Sequence, residues 1–203
     1  QDRLGGEDTE PLMILFNKLM RVALVTTHVP VSKISEQITQ EAIEHKARLL
    51  YKSLRRDFCV SAPRIAILGF NPHNGDGGVL GTEEQDVITP AIKQLVEEGI
   101  QCFGPYSADG FFGTGQYSRF DGVLAMYHDQ GLAPFKALAG DEGVNFTAGL
   151  PVVRTSPDHG TAYDIAGKGI ASPTSFREAV YAAIDIFRNR QRFDEANANP
   201  LPK

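Results

Sequence analysis

The 203-residue sequence predicts an α/β fold with a largely parallel sheet and helices on both of its faces. Three observations carry this expectation. Short apolar runs rich in β-branched residues alternate with stretches of helical periodicity. Three of the runs, Val22 to His28, Arg64 to Gly69 and Val123 to His128, either end in a histidine or lead within a few residues to one, His73. Glycine-rich polar segments follow the runs, which is where open α/β sheets build their sites.

Taken in order, Gln1 to Pro11 reads as loose, and Leu12 to Phe16 with Arg21 to Thr27 as a strand hairpin turning at Asn17-Lys18. Pro30 follows the second strand, because it has no N–H to give to a ladder. Thr39 is placed to cap a helix from Gln40 to about Phe58, whose apolar stripe is Ile43, Ala47, Leu50, Leu54 and Phe58. His45 lies off that stripe among charges and reads as solvated. Arg64 to Gly69 is the next strand. Beyond the glycine loop, Thr82-Glu83-Glu84-Gln85 has the pattern of a capping box. The helix it opens runs to about Glu98, burying Ile88, Ala91, Ile92, Leu95 and Val96, with a kink expected at Pro90 and Gly99 closing it. Ile100 to Phe103 is a short strand, and Gly104 to Phe120 reads as a long functional loop. Gly122 to Tyr127, Val144 to Thr147 and Val152 to Thr155 are further strands. Ser172 caps the last helix with Pro173 at its first position, and the stripe Phe176, Val180, Ile184 and Phe187 carries it to about Arg192. A polar tail, Asn197 to Lys203, follows.

The bulk properties exclude several classes. A net charge of −5 argues against a general nucleic-acid binder. No apolar run approaches the ~18–20 residues that span a bilayer, and the start carries no signal-peptide pattern, so a cytoplasmic protein is expected. The two cysteines, Cys59 and Cys102, form no CxxC pair and read as reduced, buried thiols. The first residue is Gln, in keeping with a fragment.

His28, His73 and His128 together suggest a metal site. Three neutral imidazoles are a common Zn²⁺ ligand set that leaves coordination positions open, and imidazole favours Zn²⁺, Co²⁺ or Ni²⁺ over Mg²⁺. The loop Phe70-Asn71-Pro72-His73-Asn74-Gly75-Asp76-Gly77-Gly78-Val79-Leu80-Gly81 nearly spells a dinucleotide fingerprint. However, Leu80 stands where the third glycine belongs, and no strand with a terminal acid follows about twenty residues on. The glycines are better read as a tight turn that brings His73 close to a ligand. Further on, Gly149 to Pro173 is too polar and glycine-rich for a core element. It carries Arg154, a forked cation suited to phosphate or carboxylate. Lys136 is a second cation, set among apolar residues near His128.

The segments TTHVPV, NPHNGDGGVLGTEE, AMYHDQGLAPFK, GVNFTAGLP and RTSPDHGTAYDIAGKG resemble the 4-hydroxythreonine-4-phosphate dehydrogenase family of vitamin B6 biosynthesis, in order, from about Arg21 to Phe187. More distantly, the chain resembles isocitrate and isopropylmalate dehydrogenases, whose adenine-binding loop has a run similar to His159-Gly160-Thr161-Ala162-Tyr163-Asp164. The resemblance implies an isocitrate/isopropylmalate-dehydrogenase-like fold. Residues 1–130 would form a metal-binding and dimerisation domain, and 131–203 the end of a cofactor and substrate domain. It implies NAD⁺- or NADP⁺-dependent oxidation and decarboxylation of 4-phosphohydroxy-L-threonine to 3-amino-2-oxopropyl phosphate, in a homodimer whose site both subunits build.

By the same resemblance His28, His73 and His128 hold the divalent metal, with Zn²⁺ favoured and Co²⁺ or Mg²⁺ as alternatives. Lys136, Asn145 and Arg154 bind substrate, and His159, Gly160, Thr161, Ala162 and Asp164 face the adenosine end of the cofactor. Lys136 is a candidate for proton transfer, and Asp129 and Asp109 for orienting an imidazole or a water. The family's amino-terminal βαβ region and a substrate-contacting His-Thr pair are not in this sequence. The chain alone is therefore expected to bind metal but turn over poorly. Rival readings are a dehydrogenase of 4-phospho-D-threonate or 4-phospho-D-erythronate, a zinc hydrolase, and a non-catalytic dimer tied by metal.

Overall fold

The structure, a computed structural model, describes residues 10–160 and 162–199. Strands β1 (Leu12–Phe16) and β2 (Arg21–Leu24) form the expected antiparallel hairpin, with Ile14 opposite Ala23. The Asn17 side-chain oxygen accepts from the Leu19 and Met20 N–H groups and closes the turn. A one-turn helix α1 (Ile34–Gln37) leads to α2 (Gln40–Arg56), and the Thr39 hydroxyl accepts from Ala42 N at 3.1 Å, the cap read from the sequence. Next come β3 (Arg64–Leu68), a π-helical turn Glu84–Ile88, α3 (Thr89–Glu97) and β4 (Gln101–Tyr106). The chain continues through α4 (Ala108–Gly113), β5 (Gly122–Ala125), α5 (His128–Ala139), β6 (Val144–Ala148), β7 (Thr155–Pro157) and α6 (Thr174–Asn197).

The seven strands make one sheet in the order β4-β3-β5-β2-β1-β6-β7. β4, β3, β5 and β2 are mutually parallel, whereas β1 opposes both its neighbours and β7 opposes β6. Five strands thus point one way, with β1 and β7 reversed. Period-2 alternation splits the strand residues between two cores. Ala23, Ile65, Ile67 and Leu124 pack on one face with Ile43, Ala47, Leu50 and Leu54 of α2 and Leu95 of α3. Val22, Leu24, Ala66, Leu68 and Val123 pack on the other with Phe111 of α4 and Leu132 and Phe135 of α5. Helices therefore do cover both faces.

Several local expectations change. No side chain caps the helix after the glycine loop; backbone bonds from Gln85 and Asp86 to the Thr82 carbonyl start it instead. Pro90 has no N–H for the Asp86 carbonyl, and the turn before it has π geometry. Val96 is exposed. Gly104 to Phe120 is no loop: it finishes β4 and forms α4 and a 3-10 turn, with Phe111 buried against Tyr106 and Phe120. α5 is an element the sequence did not announce, and it contains both Gly131 and Pro134. Gly131 is in fact where α5 presses on the sheet: a Cβ would lie 2.8 Å from Val22 Cγ1. The last strand is Thr155–Pro157 rather than Val152 to Thr155, and α6 starts at Thr174 and extends to Asn197. Cys59 is exposed, and only Cys102 is a buried thiol.

The largest difference concerns α6. Its predicted core stripe, Phe176, Val180, Ile184 and Phe187, is solvent-facing, from 40% to 64% exposed. The helix instead buries Ser175, Ala179, Ile186 and Arg190. Arg190 Nε donates to Asp57 Oδ1 at 2.7 Å, and the Asp57 carboxylate also accepts from the Ser53 hydroxyl. α5 runs from His128 to Ala139, and β6 pairs with β1 along five residues.

Candidate functional site at the carboxyl edge of the sheet

Two cavities lie along the edge where the parallel strands end, the position open α/β sheets reserve for ligands. The first, of about 460 Å³, opens beyond β2 and β6 and is lined by His28, Lys46, Asn145, Thr147 and Arg154, among others. Asn145 and Thr147 are successive same-face residues of β6, so period-2 alternation points both into it. Arg154 Nη1 donates to Thr147 Oγ1 at 2.8 Å, which fixes one edge of the guanidinium. Among the described residues, the Asn145 side-chain oxygen is buried without a hydrogen-bond partner.

The second cavity, of about 310 Å³, lies beyond β3, β4 and β5 and is lined by His73, Asp109, Tyr127 and Gln130, among others. Asp109 is held below the usual carboxylate range by the Ser107 hydroxyl, then by the Gly110 N–H, with His73 adding attraction. His128, the first residue of α5, bonds through Nδ1 to Asp129 Oδ1 at 2.7 Å. That is the arrangement a carboxylate uses to orient a metal-binding imidazole, and it leaves Nε2 free. The donor chemistry therefore suits a borderline metal such as Zn²⁺. Yet among the described residues no three His, Cys, Asp or Glu side chains gather closely enough to hold an ion. The histidine triad is not assembled within one chain.

The remaining candidates are dispersed. Lys136 lines neither cavity; it sits in the last turn of α5, where Nζ contacts Asp158 Oδ1 at 2.9 Å. His159 and Gly160 are exposed, with His159 Nδ1 against the Gly160 carbonyl. Ala162 takes a left-handed conformation, and Asp164 lies in an exposed 3-10 turn. Thr161 is outside the described residues. The sequence reading missed Lys46 and Thr147 of the first cavity and, around the second, Glu84 and Gln130. Thr147 was readable, two residues after Asn145 on the same strand. Lys46 looked like one more surface charge of an amphipathic helix.

The fold and site thus define an α/β protein with paired carboxyl-edge cavities, one cationic and amide-lined and the other carrying imidazole and carboxylate. Residues 2–183 match the family model for pyridoxal phosphate biosynthetic protein PdxA, and the chain belongs to that family. It is 63% identical over its whole length to 4-hydroxythreonine-4-phosphate dehydrogenase of Bacteroides thetaiotaomicron, covering 56% of that protein. Among solved structures, the 4-hydroxythreonine-4-phosphate dehydrogenase of Klebsiella pneumoniae superposes with a TM-score of 0.77 at 38% identity, over 88% of this chain and 55% of that one. A β-decarboxylating dehydrogenase of Thermococcus kodakarensis shares the fold at 18% identity, with a TM-score of 0.52 over 93% of this chain and 61% of that one. The fold is therefore of the isocitrate/isopropylmalate-dehydrogenase-like kind. The chain spans about half the length of the curated relatives it matches. No described helix is long and apolar enough to cross a membrane.

Proposed function

We propose that this chain carries the metal-binding part and much of the substrate-binding part of an NAD⁺- or NADP⁺-dependent 4-hydroxythreonine-4-phosphate dehydrogenase. The observation that carries this reading is the first cavity, which Arg154, Lys46, Asn145 and Thr147 line together. Arg154 suits an anionic end of the substrate, and its anchorage to Thr147 lowers the cost of ordering it. The Asn145 amide suits a hydroxyl or ammonium group of the substrate. In the reaction, hydride leaves the alcohol carbon for the nicotinamide and the hydroxyl loses its proton; the resulting β-keto acid then releases CO₂. A divalent metal supplies Lewis acidity that eases loss of the alcohol proton and the build-up of charge on oxygen during decarboxylation.

His28, His73 and His128 would hold that metal, with Asp129 setting the tautomer of His128. The family resemblance implies that two copies of the chain share this site. Lys136 is committed to Asp158, so its part in proton transfer requires that pair to open. His159, Gly160, Ala162 and Asp164 form an exposed surface suited to the adenosine end of the cofactor. The test is calorimetric titration of the 203-residue chain with 4-phosphohydroxy-L-threonine, with and without Zn²⁺, alongside sedimentation. Binding, Zn²⁺-dependent dimerisation reversed by chelator, and an affinity lower by roughly ten- to a hundredfold in Arg154→Ala are expected, as befits loss of a charge-assisted bond. Absence of binding to the parent chain overturns the reading. NADH formation is expected only from a chain extended to the relatives' length.

A further inference from the structure

We propose that Glu84 is a positioning residue whose buried carboxylate, with the Gln130 amide, holds the left-handed turn that presents His73. This rests on the reading of His73 as a metal ligand. The turn is unusual. Six successive residues from His73 to Gly78 have positive φ, and three of them, His73, Asn74 and Asp76, are not glycine. Side chains with a Cβ avoid that region, and such a run persists only where its surroundings over-determine it.

The surroundings converge on Glu84, which is 3% exposed. Its Oε1 accepts from Phe70 N at 2.7 Å and Asn71 N at 2.6 Å, and its Oε2 from Asn71 Nδ2 at 3.0 Å. A Cβ on Gly75 would lie 2.8 Å from Glu84 Oε2, so the turn closes directly over the carboxylate. Gln130 fastens the base. Its Nε2 donates to the Gly69 carbonyl at 2.6 Å, and its Oε1 accepts from Met126 N at 2.7 Å. The side chain thereby links the end of β3, which leads to His73, with the end of β5, which leads to His128. Asn74 Nδ2 bonds the Pro105 carbonyl and adds the end of β4. No other buried carboxylate of the described residues accepts from two successive backbone amides, and an ordinary helix start needs nothing of the kind.

The experiment compares Glu84→Ala, Glu84→Gln and Gln130→Ala with the parent and with Ile186→Val, a control on α6 far from the loop. Three quantities are read: thermal midpoint, the His73 ring signals in ¹⁵N-histidine NMR without metal, and Zn²⁺ affinity by competition with a chromophoric chelator. The His73 signals are expected to shift or broaden in Glu84→Ala, with Zn²⁺ affinity falling roughly ten- to a hundredfold, the usual range for groups that orient a metal ligand. Glu84→Gln, which keeps one acceptor oxygen, should retain part of the affinity. Ile186→Val should lower the midpoint while leaving Zn²⁺ affinity at the parent value. Unchanged His73 signals in the folded Glu84 variants, or an affinity loss no greater than in the control, would overturn the proposal. If Glu84→Ala does not fold, Glu84→Gln and Gln130→Ala decide. If the parent takes up no Zn²⁺, the metal reading fails, and the His73 signals alone judge the role of Glu84.

Discussion

Asn145 shows what a site residue costs the fold. Among the described residues its side-chain oxygen is buried without a partner, which costs about 1–3 kcal/mol of stability. Asn145→Ala should therefore leave the thermal midpoint unchanged or raise it, while weakening binding of the phosphorylated hydroxy acid by calorimetry. A purely structural asparagine would give the opposite sign in the midpoint. The sequence marked Asn145, Arg154, His28 and His73 as chemistry-bearing, and the structure places each on a cavity wall. It marked Lys136 as a cation among apolar neighbours, but could not show that Asp158, just after β7, would meet it. Asp129 was legible because it directly follows His128. Glu84 was not: its partners are backbone groups thirteen and fourteen residues earlier, and no residue pattern announces such bonds.

At the scale of elements, α2 and α3 are joined at their surface by Arg48, which reaches both carboxylate oxygens of Glu98, at 2.8 and 2.6 Å, and Glu44 as well. Arg48 and then Gln94 pull Glu98 down to about 2 from an ordinary 4.5. The folded value is the depressed one, so the contribution to stability is fully present above about pH 4.5 and fades as the pH falls through about 2. NMR titration of the Glu98 carboxyl should find its midpoint near that value, rising toward the ordinary one in Arg48→Ala and in high salt, since the pair is exposed. Strand and helix identities were read well wherever periodicity was strong and caps were local, as in β1, β2 and α2. They were misread where tertiary contact overrode propensity. α5 tolerates Gly131 because the glycine lets the helix approach Val22 and Leu24. α6 has a true apolar stripe, yet docks through Ala179, Ile186 and Arg190, because β7 and Asp57 meet that side.

For the whole molecule, the buried pair of Arg190 and Asp57 joins the last helix to the end of α2 across 133 residues of sequence. Asn189 adds a bond to the Asp57 carbonyl. Both charges are almost inaccessible, so removing one strands the other in a poorly polar interior. Asp57→Ala should destabilise the chain by about 3–5 kcal/mol in urea unfolding. A double variant replacing both charges with apolar residues should recover much of that loss. What the sequence by itself determined is the class of fold, the placing of histidines and glycines after strands, and the family, because those rest on local periodicity and contiguous motifs. What only the tertiary structure decided is which of those residues share a space. The strand order carries β6 beside β1, so His28, Asn145 and Arg154 meet in one cavity while His73 and Asp109 line another. The physical reason is that side-chain convergence depends on sheet order and on which helix face is buried, and both are set by contacts between residues far apart in the chain.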